Sequence, residues 1–113
     1  MIQNQWFKVF PGSITVTDQN ATILEMNDLA VEAYKDGGGI ELIGKSVISC
    51  HHEPTRSQVK KMYDAPSPNV YFLVENGKRE LVYHAPYYVD GHFAGLVELC
   101  FEVPENIPEI THE

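Results

Sequence analysis

Two dipeptides, Asn76-Gly77 and Asp90-Gly91, constrain this chain more than anything else in it. Each pairs a residue that tolerates positive φ with a glycine, the chemistry of a two-residue hairpin turn, and each separates two β-prone runs. The pattern predicts three consecutive antiparallel strands: Asn69 to Glu75, about Lys78 to Val89, and a closing strand from about His92 to Val103. The first is apolar on both alternating faces. On the second, Leu81, Tyr83, Ala85, Tyr87 and Val89 share one face, with Glu80, Val82, His84, Pro86 and Tyr88 on the other. On the third, Phe93, Val97, Leu99, Phe101 and Val103 are assigned inward, and His92, Ala94, Leu96, Glu98, Cys100 and Glu102 outward.

Upstream, Trp6, Phe7 and Phe10 have helical spacing and Pro11-Gly12 ends the run, so a short opening helix is expected. Ile14 to Thr17 alternates apolar with polar, Asp18-Gln19-Asn20 is turn chemistry, and Thr22 to Met26 is again β-prone, which reads as a hairpin. Asn27 or Asp28 can cap a short helix with Ala30, Ala33 and Tyr34 on one face, stopped by Gly37-Gly38-Gly39. Ile40 to Ser49 is poorly periodic. Thr55-Arg56-Ser57-Gln58 has the spacing of a capping box opening a helix to about Asp64, with Val59, Met62 and Tyr63 facing inward. Two strands, a block of short helices and three strands make an α+β layer, a five-stranded antiparallel sheet with short helices packed on one face. The division is an N-terminal helical segment over residues 1–12, one domain over 13–103 and a C-terminal tail over 104–113.

Composition narrows the function classes. At 113 residues the chain holds one domain, and 16 acidic against 8 basic side chains, a formal charge of −8, repel nucleic acid and anionic lipid. No apolar run approaches the roughly 20 residues of a membrane span, and Met1 to Phe10 lacks the pattern of a signal peptide. A cytoplasmic location is expected, with Cys50 and Cys100 as thiols. No nucleophile elbow, Walker loop or dinucleotide fingerprint is present, so the expectation is a protein that is not an enzyme.

The segment Ile14 to Asn27, with an acidic residue at its turn and an asparagine entering the next helix, resembles the opening hairpin of PAS sensory domains. Ile43-Gly44-Lys45-Ser46 is similar to that family's middle-helix segment, and Asp90-Gly91 to Glu98 to its final hairpin. A narrower similarity links Cys50-His51 and the nearby Pro54 to PAS modules attached to bacterial hemerythrin-like proteins. The acidic-Ile-Thr ending typical of the family is replaced by Phe101-Glu102-Val103-Pro104. The resemblance implies a sensory signalling module that encloses a small molecule between sheet and helices, and acts through a homodimer or on a signalling partner protein in trans.

The expected ligand wall is Tyr63, Tyr71, Leu73, Tyr83, Tyr87, Phe93 and Val97, beside Phe72, whose aromatic members either meet a ligand or simply fill the core. In Cys50-His51-His52-Glu53 adjacent side chains diverge, so the segment reads as a polar helix entry. The alternative is a haem or metal held through His51 or His52, with His84 or His92 completing a metal site, which would make a redox or gas sensor. A third reading is a ligand-free protein-interaction module. Leu96, Cys100 and Val82, assigned outward, form the apolar strip on which the homodimer expectation rests, with Trp6, Phe7 and Phe10 as its local cover.

Overall fold

A computed structural model describes residues 5–113; of the opening segment, residues 1–4 lie outside the described residues. Helix α1 (Gln5–Val9) leads into strands β1 (Ser13–Thr17) and β2 (Ile23–Met26), then helix α2 (Asp28–Ala33). Two 3₁₀ turns, Lys35–Gly37 and Gly39–Leu42, carry the chain to helix α3 (Thr55–Asp64), and β3 (Asn69–Glu75), β4 (Lys78–Val89) and β5 (His92–Glu102) complete it. The five strands form one antiparallel sheet in the order β2-β1-β5-β4-β3. The last strand thus lies in the middle, joining the opening hairpin to the closing ones.

Turn chemistry decides where the chain reverses. Asn76 (φ 52°) with Gly77 (φ 77°), and Asp90 (φ 51°) with Gly91 (φ 79°), take the left-handed pairs that a right-twisted hairpin needs. In the first hairpin Asp18 Oδ1 accepts the amides of Asn20 and Thr22 at 2.9 Å each. Asn27 is the knot of this end of the molecule: it is 1% exposed, and its Oδ1 accepts the amides of Ile14 (2.9 Å) and Ala30 (3.1 Å) while its Nδ2 donates to the Gly12 carbonyl (2.8 Å). One side chain caps α2 and ties it to β1. Behind it Ile23, Met26, Ala30 and Leu42 form the buried core, with Val31 and Val47 packed against it.

The capping box expected at Thr55 does not form. Helix α3 starts where expected, but its first turn is closed by Glu53, whose Oε1 accepts the Ser57 amide (3.0 Å) and hydroxyl (2.7 Å). The poorly periodic stretch also has a role: Gly44 N donates to Ile23 O (2.7 Å), Ile23 N to Lys45 O (2.9 Å) and Val47 N to Ala21 O (2.8 Å), covering the outer edge of β2. At the opposite edge, all seven residues of β3 are exposed. Helix α1 lies beside α2, joined by a Lys8–Asp28 ion pair of 2.7 Å, and leaves Trp6 66% exposed. Of the three aromatics expected to cover the sheet, Phe10 approaches β5, sharing with Phe101 the space over Gly12. Among the described residues no helix is long and apolar enough to cross a membrane.

Candidate functional site

Between the sheet and the helical block lies a cavity of about 640 Å³. Its apolar lining is Ile23 and Met26 from β2, Leu42, Val47, Val59 and Met62 from the helical block, and Leu96 from β5. Its polar lining includes Thr15, Thr17, Tyr34, Tyr63, Asn69, Tyr71, His84 and Glu98. Cys50, Tyr71 and Gln58, which are exposed, stand on the side open to solvent.

The register of the sheet orders the polar groups. Asn69 pairs with His84, His84 with Glu98, and Glu98 with Thr15, so four polar residues from four strands stand in one row across the cavity floor. His84 Nε2 lies 2.8 Å from Glu98 Oε2, Asn69 Nδ2 lies 3.4 Å from His84 Nδ1, and the Tyr34 hydroxyl donates to Glu98 Oε1 at 3.0 Å. Burial pushes the Glu98 carboxyl up, but the hydrogen bond and charge of His84, the Tyr34 hydroxyl and the nearby His51 outweigh it and hold the group below its ordinary 4.5. The Tyr34 hydroxyl is raised by burial and by the Glu98 charge. Cys100, whose partner Val82 sits on the same face, is pushed up to about 11 by burial and by the carboxylates of Glu80 and Glu98, which leaves it an unreactive thiol near neutrality.

A second polar knot closes one end. Thr17 Oγ1 and the Tyr63 hydroxyl share a hydrogen bond of 2.6 Å, and Leu96 N donates to the same Oγ1 at 3.3 Å. Here β5 has a bulge: Tyr87 pairs with Gly95 and Tyr88 with Phe93, so Ala94 has no partner. Gly95 has φ +151°, and a Cβ on it would run into the Thr17 carbonyl. The Tyr87 hydroxyl reaches that same carbonyl at 2.8 Å.

These positions reverse the expected sense of the central strands. The cavity face carries Val82 and His84 from β4 and Leu96, Glu98 and Cys100 from β5, while Leu81, Tyr83, Ala85, Val97, Leu99 and Phe101 lie on the back. Of the expected ligand wall, Tyr63 and Tyr71 line the cavity; Leu73, Tyr83, Tyr87, Phe93 and Val97 do not. Tyr83 and Val97 fall on the back by alternation, as does Tyr87. Leu73 is on the cavity side of the sheet but beyond the helices' cover, 41% exposed. Phe93 is turned to the helical side by the bulge and packs edge-on against Tyr63, with ring centroids 6.2 Å apart. Leu96 and Val82, assigned to an outer strip, are 4% and 3% exposed in the interior. The back of the sheet still bears an apolar surface, but a different one: Val70, Phe72 and Tyr83 are exposed there, next to Leu99 and Phe101. His51 lines the cavity, whereas His52 and His92 do not. Among the described residues no group of three or more His, Cys, Asp or Glu side chains is placed to hold a metal ion. Glu98 and Thr15 are site residues that the sequence reading missed, and His84 entered it only as a further metal ligand; the signal available was a histidine, a carboxylate and a threonine on strands otherwise apolar.

No protein-family model matches the chain, and no curated protein matches it in sequence. Solved structures do. A C-terminal domain from Streptococcus mutans superposes with a TM-score of 0.73 at 21% identity, over 88% of this chain and 81% of that one. The Vibrio cholerae Aer2 receptor, described as a dual PAS-heme oxygen sensor, gives 0.62 at 11% identity over 82% and 95%. The PAS domain of Bordetella pertussis BvgS gives 0.62 at 14% identity over 93% and 89%. Strand order, the helical cover on one face and these superpositions together establish that the chain has the fold of a PAS domain.

Proposed function

We propose that this chain is a sensory module that encloses a small molecule against its sheet and signals the change in packing to a partner. The observation that carries the reading is the 640 Å³ cavity, apolar in most of its lining but floored by a hydrogen-bonded polar row. A ligand that binds one sheet-helix packing better than another shifts the population between them by its differential affinity. Helix α3 is the element suited to move, since it lines the cavity with Val59, Met62 and Tyr63 and, among the described residues, its side chains bond the sheet only through Tyr63 to Thr17 and a long contact of 3.9 Å from Asn69 Nδ2 to Met62 Sδ. The output then passes to a second copy through the exposed apolar back of the sheet, or to a signalling partner in trans.

A thermal-shift screen over metabolite classes, with mass spectrometry of the extract from freshly purified protein, tests this. A ligand present at a hundred times its Kd adds about 2.7 kcal/mol of stability, which on a domain of this size raises Tm by on the order of 10 °C. A protein that carries no small molecule and shifts with none of the classes is an interaction module instead. One observation favours a second reading: His51 lines the cavity beside Cys50, and one structural neighbour is described as a PAS-heme oxygen sensor. A haem held by His51 would show a Soret band that His51→Ala abolishes and His52→Ala leaves in place.

A further inference from the structure

The polar row on the cavity floor is unbalanced in one direction. Asn69 Nδ2 lies 3.4 Å from His84 Nδ1, and His84 Nε2 lies 2.8 Å from Glu98 Oε2, so the imidazole is held between the two side chains. His84 thus occupies one side of Glu98, and the rest of the carboxylate faces the cavity. Among the described residues neither lysine nor arginine lines the site, whose basic groups are the imidazoles of His51 and His84. A carboxylate accepts about four hydrogen bonds, and Glu98 uses two, from His84 and Tyr34. Directly opposite Glu98 in register, Thr15 is 7% exposed and its hydroxyl has no hydrogen-bond partner among the described residues. A buried hydroxyl left so costs about 1–3 kcal/mol. The open capacity of the cavity is therefore carboxylate lone pairs beside an unused hydroxyl, which together ask for a positively charged donor.

We infer that the cavity takes an organic amine, its ammonium lodged between Glu98 and Thr15 and its apolar or aromatic body among Ile23, Met26, Leu42, Val59, Met62 and Leu96. This rests on the reading that the cavity binds a small molecule, and adds the charge and the donor group of that molecule. An ammonium has three donors: the free Glu98 lone pairs accept from it, and Thr15 ends its isolation by accepting as well. A carboxylate or phosphate ligand would instead face Glu98 with no lysine or arginine among the described lining residues to offset the repulsion.

The test is calorimetric titration of the full chain with three probes of similar size, 2-phenylethylamine, 2-phenylethanol and phenylacetate, repeated on Glu98→Gln and Thr15→Val. The amine is expected to bind at least tenfold more tightly than the alcohol, with phenylacetate weakest. Glu98→Gln should collapse the amine's advantage, and Thr15→Val should weaken the amine severalfold without lowering the Tm of the free protein, because a methyl replaces a hydroxyl that has no bond to lose. If Glu98→Gln does not fold, the probe order on the unaltered chain and the Thr15→Val result decide. Equal binding of all three probes, or tighter binding of the acid, overturns the amine assignment and leaves the sensor reading intact. No binding by any probe overturns the amine assignment too, and joined to a blank metabolite screen it removes the sensor reading as well.

Discussion

The two ends of the sheet are built on opposite principles. At the β2-β1 end, Asn27 joins helix to strand with three hydrogen bonds, Ile23, Ala30 and Met26 are buried, and Gly44 to Val47 covers the strand edge. At the β3 end the sequence is at least as apolar, yet every residue of β3 is exposed and its outer edge has no strand against it among the described residues. Between the two ends lies the cavity, one wall from each. The proposed sensing would use such an asymmetry: a frame that does not yield, and a flank whose packing can be altered at little cost.

Breaking the frame should give the largest effect. Gly95→Ala forces a Cβ into the Thr17 carbonyl at a φ of +151°, a clash of backbone with backbone that no rotamer relieves. The expected loss is at least about 3 kcal/mol, seen as a Tm lowered by roughly 12 °C or more in a melting scan; a loss below about 1 kcal/mol would mean that the bulge is not rigid. Asn27→Asp comes next. The new side chain keeps both acceptor bonds but loses the donor to Gly12 O, and places a carboxylate where that carbonyl points. A loss of about 1–3 kcal/mol is expected, against a few tenths for an exposed change on β3, and parallel urea titrations of the two variants measure the contrast.

The middle of the sheet offers a smaller test through pH. Because the Glu98 carboxyl is held below its ordinary 4.5 in the folded chain, it binds its proton more weakly there than when unfolded. Its contribution is therefore fully present above the unfolded value and disappears as pH falls through the folded one. Between about pH 5 and pH 3 the unaltered protein should lose Tm more steeply than Glu98→Gln. Parallel acid limbs for the two proteins would show that His84 and Tyr34 do not hold the carboxylate.

What could be read in advance follows the same division. The hairpin turns were legible because Asn76-Gly77 and Asp90-Gly91 advertise their left-handed conformation, and the α2 cap because Asn27 precedes a short apolar period; both are local chemistry. The sense of β4 and β5 was not legible, since both alternating faces offer apolar residues: Leu81, Tyr83 and Ala85 on one, Val82 and Pro86 on the other. The rule that polar residues face water then pointed the wrong way, because His84 and Glu98 satisfy one another across strands and Tyr34, distant in sequence, completes the set. The bulge that turns Phe93 toward Tyr63 depends on the close approach of Gly95 to β1, a contact between strands far apart in the chain. The cavity's aromatic character was foreseeable through Tyr63 and Tyr71; its charge was not, because it arises from tertiary pairing.

The smallest expected effect on stability is at the open flank, and there it separates stability from assembly. Phe72 is 47% exposed on the back of β3, with the Arg79 guanidinium 4.2 Å from its ring centre, and pairs with Leu81, which itself pairs with Phe101. Replacing it by glutamate removes one cation–π contact and part of an apolar surface, and leaves the same Arg79 as an ion-pair partner. The fold should lose less than about 1 kcal/mol. If the back of the sheet joins two copies, that one carboxylate is desolvated in both subunits, and the cost falls on association. Light scattering across a concentration series then shows dimer for the unaltered chain and monomer for Phe72→Glu, at nearly equal Tm. Identical masses for the two proteins at every concentration would leave the apolar back face without a second copy, and the signal would have to leave through a partner of another kind.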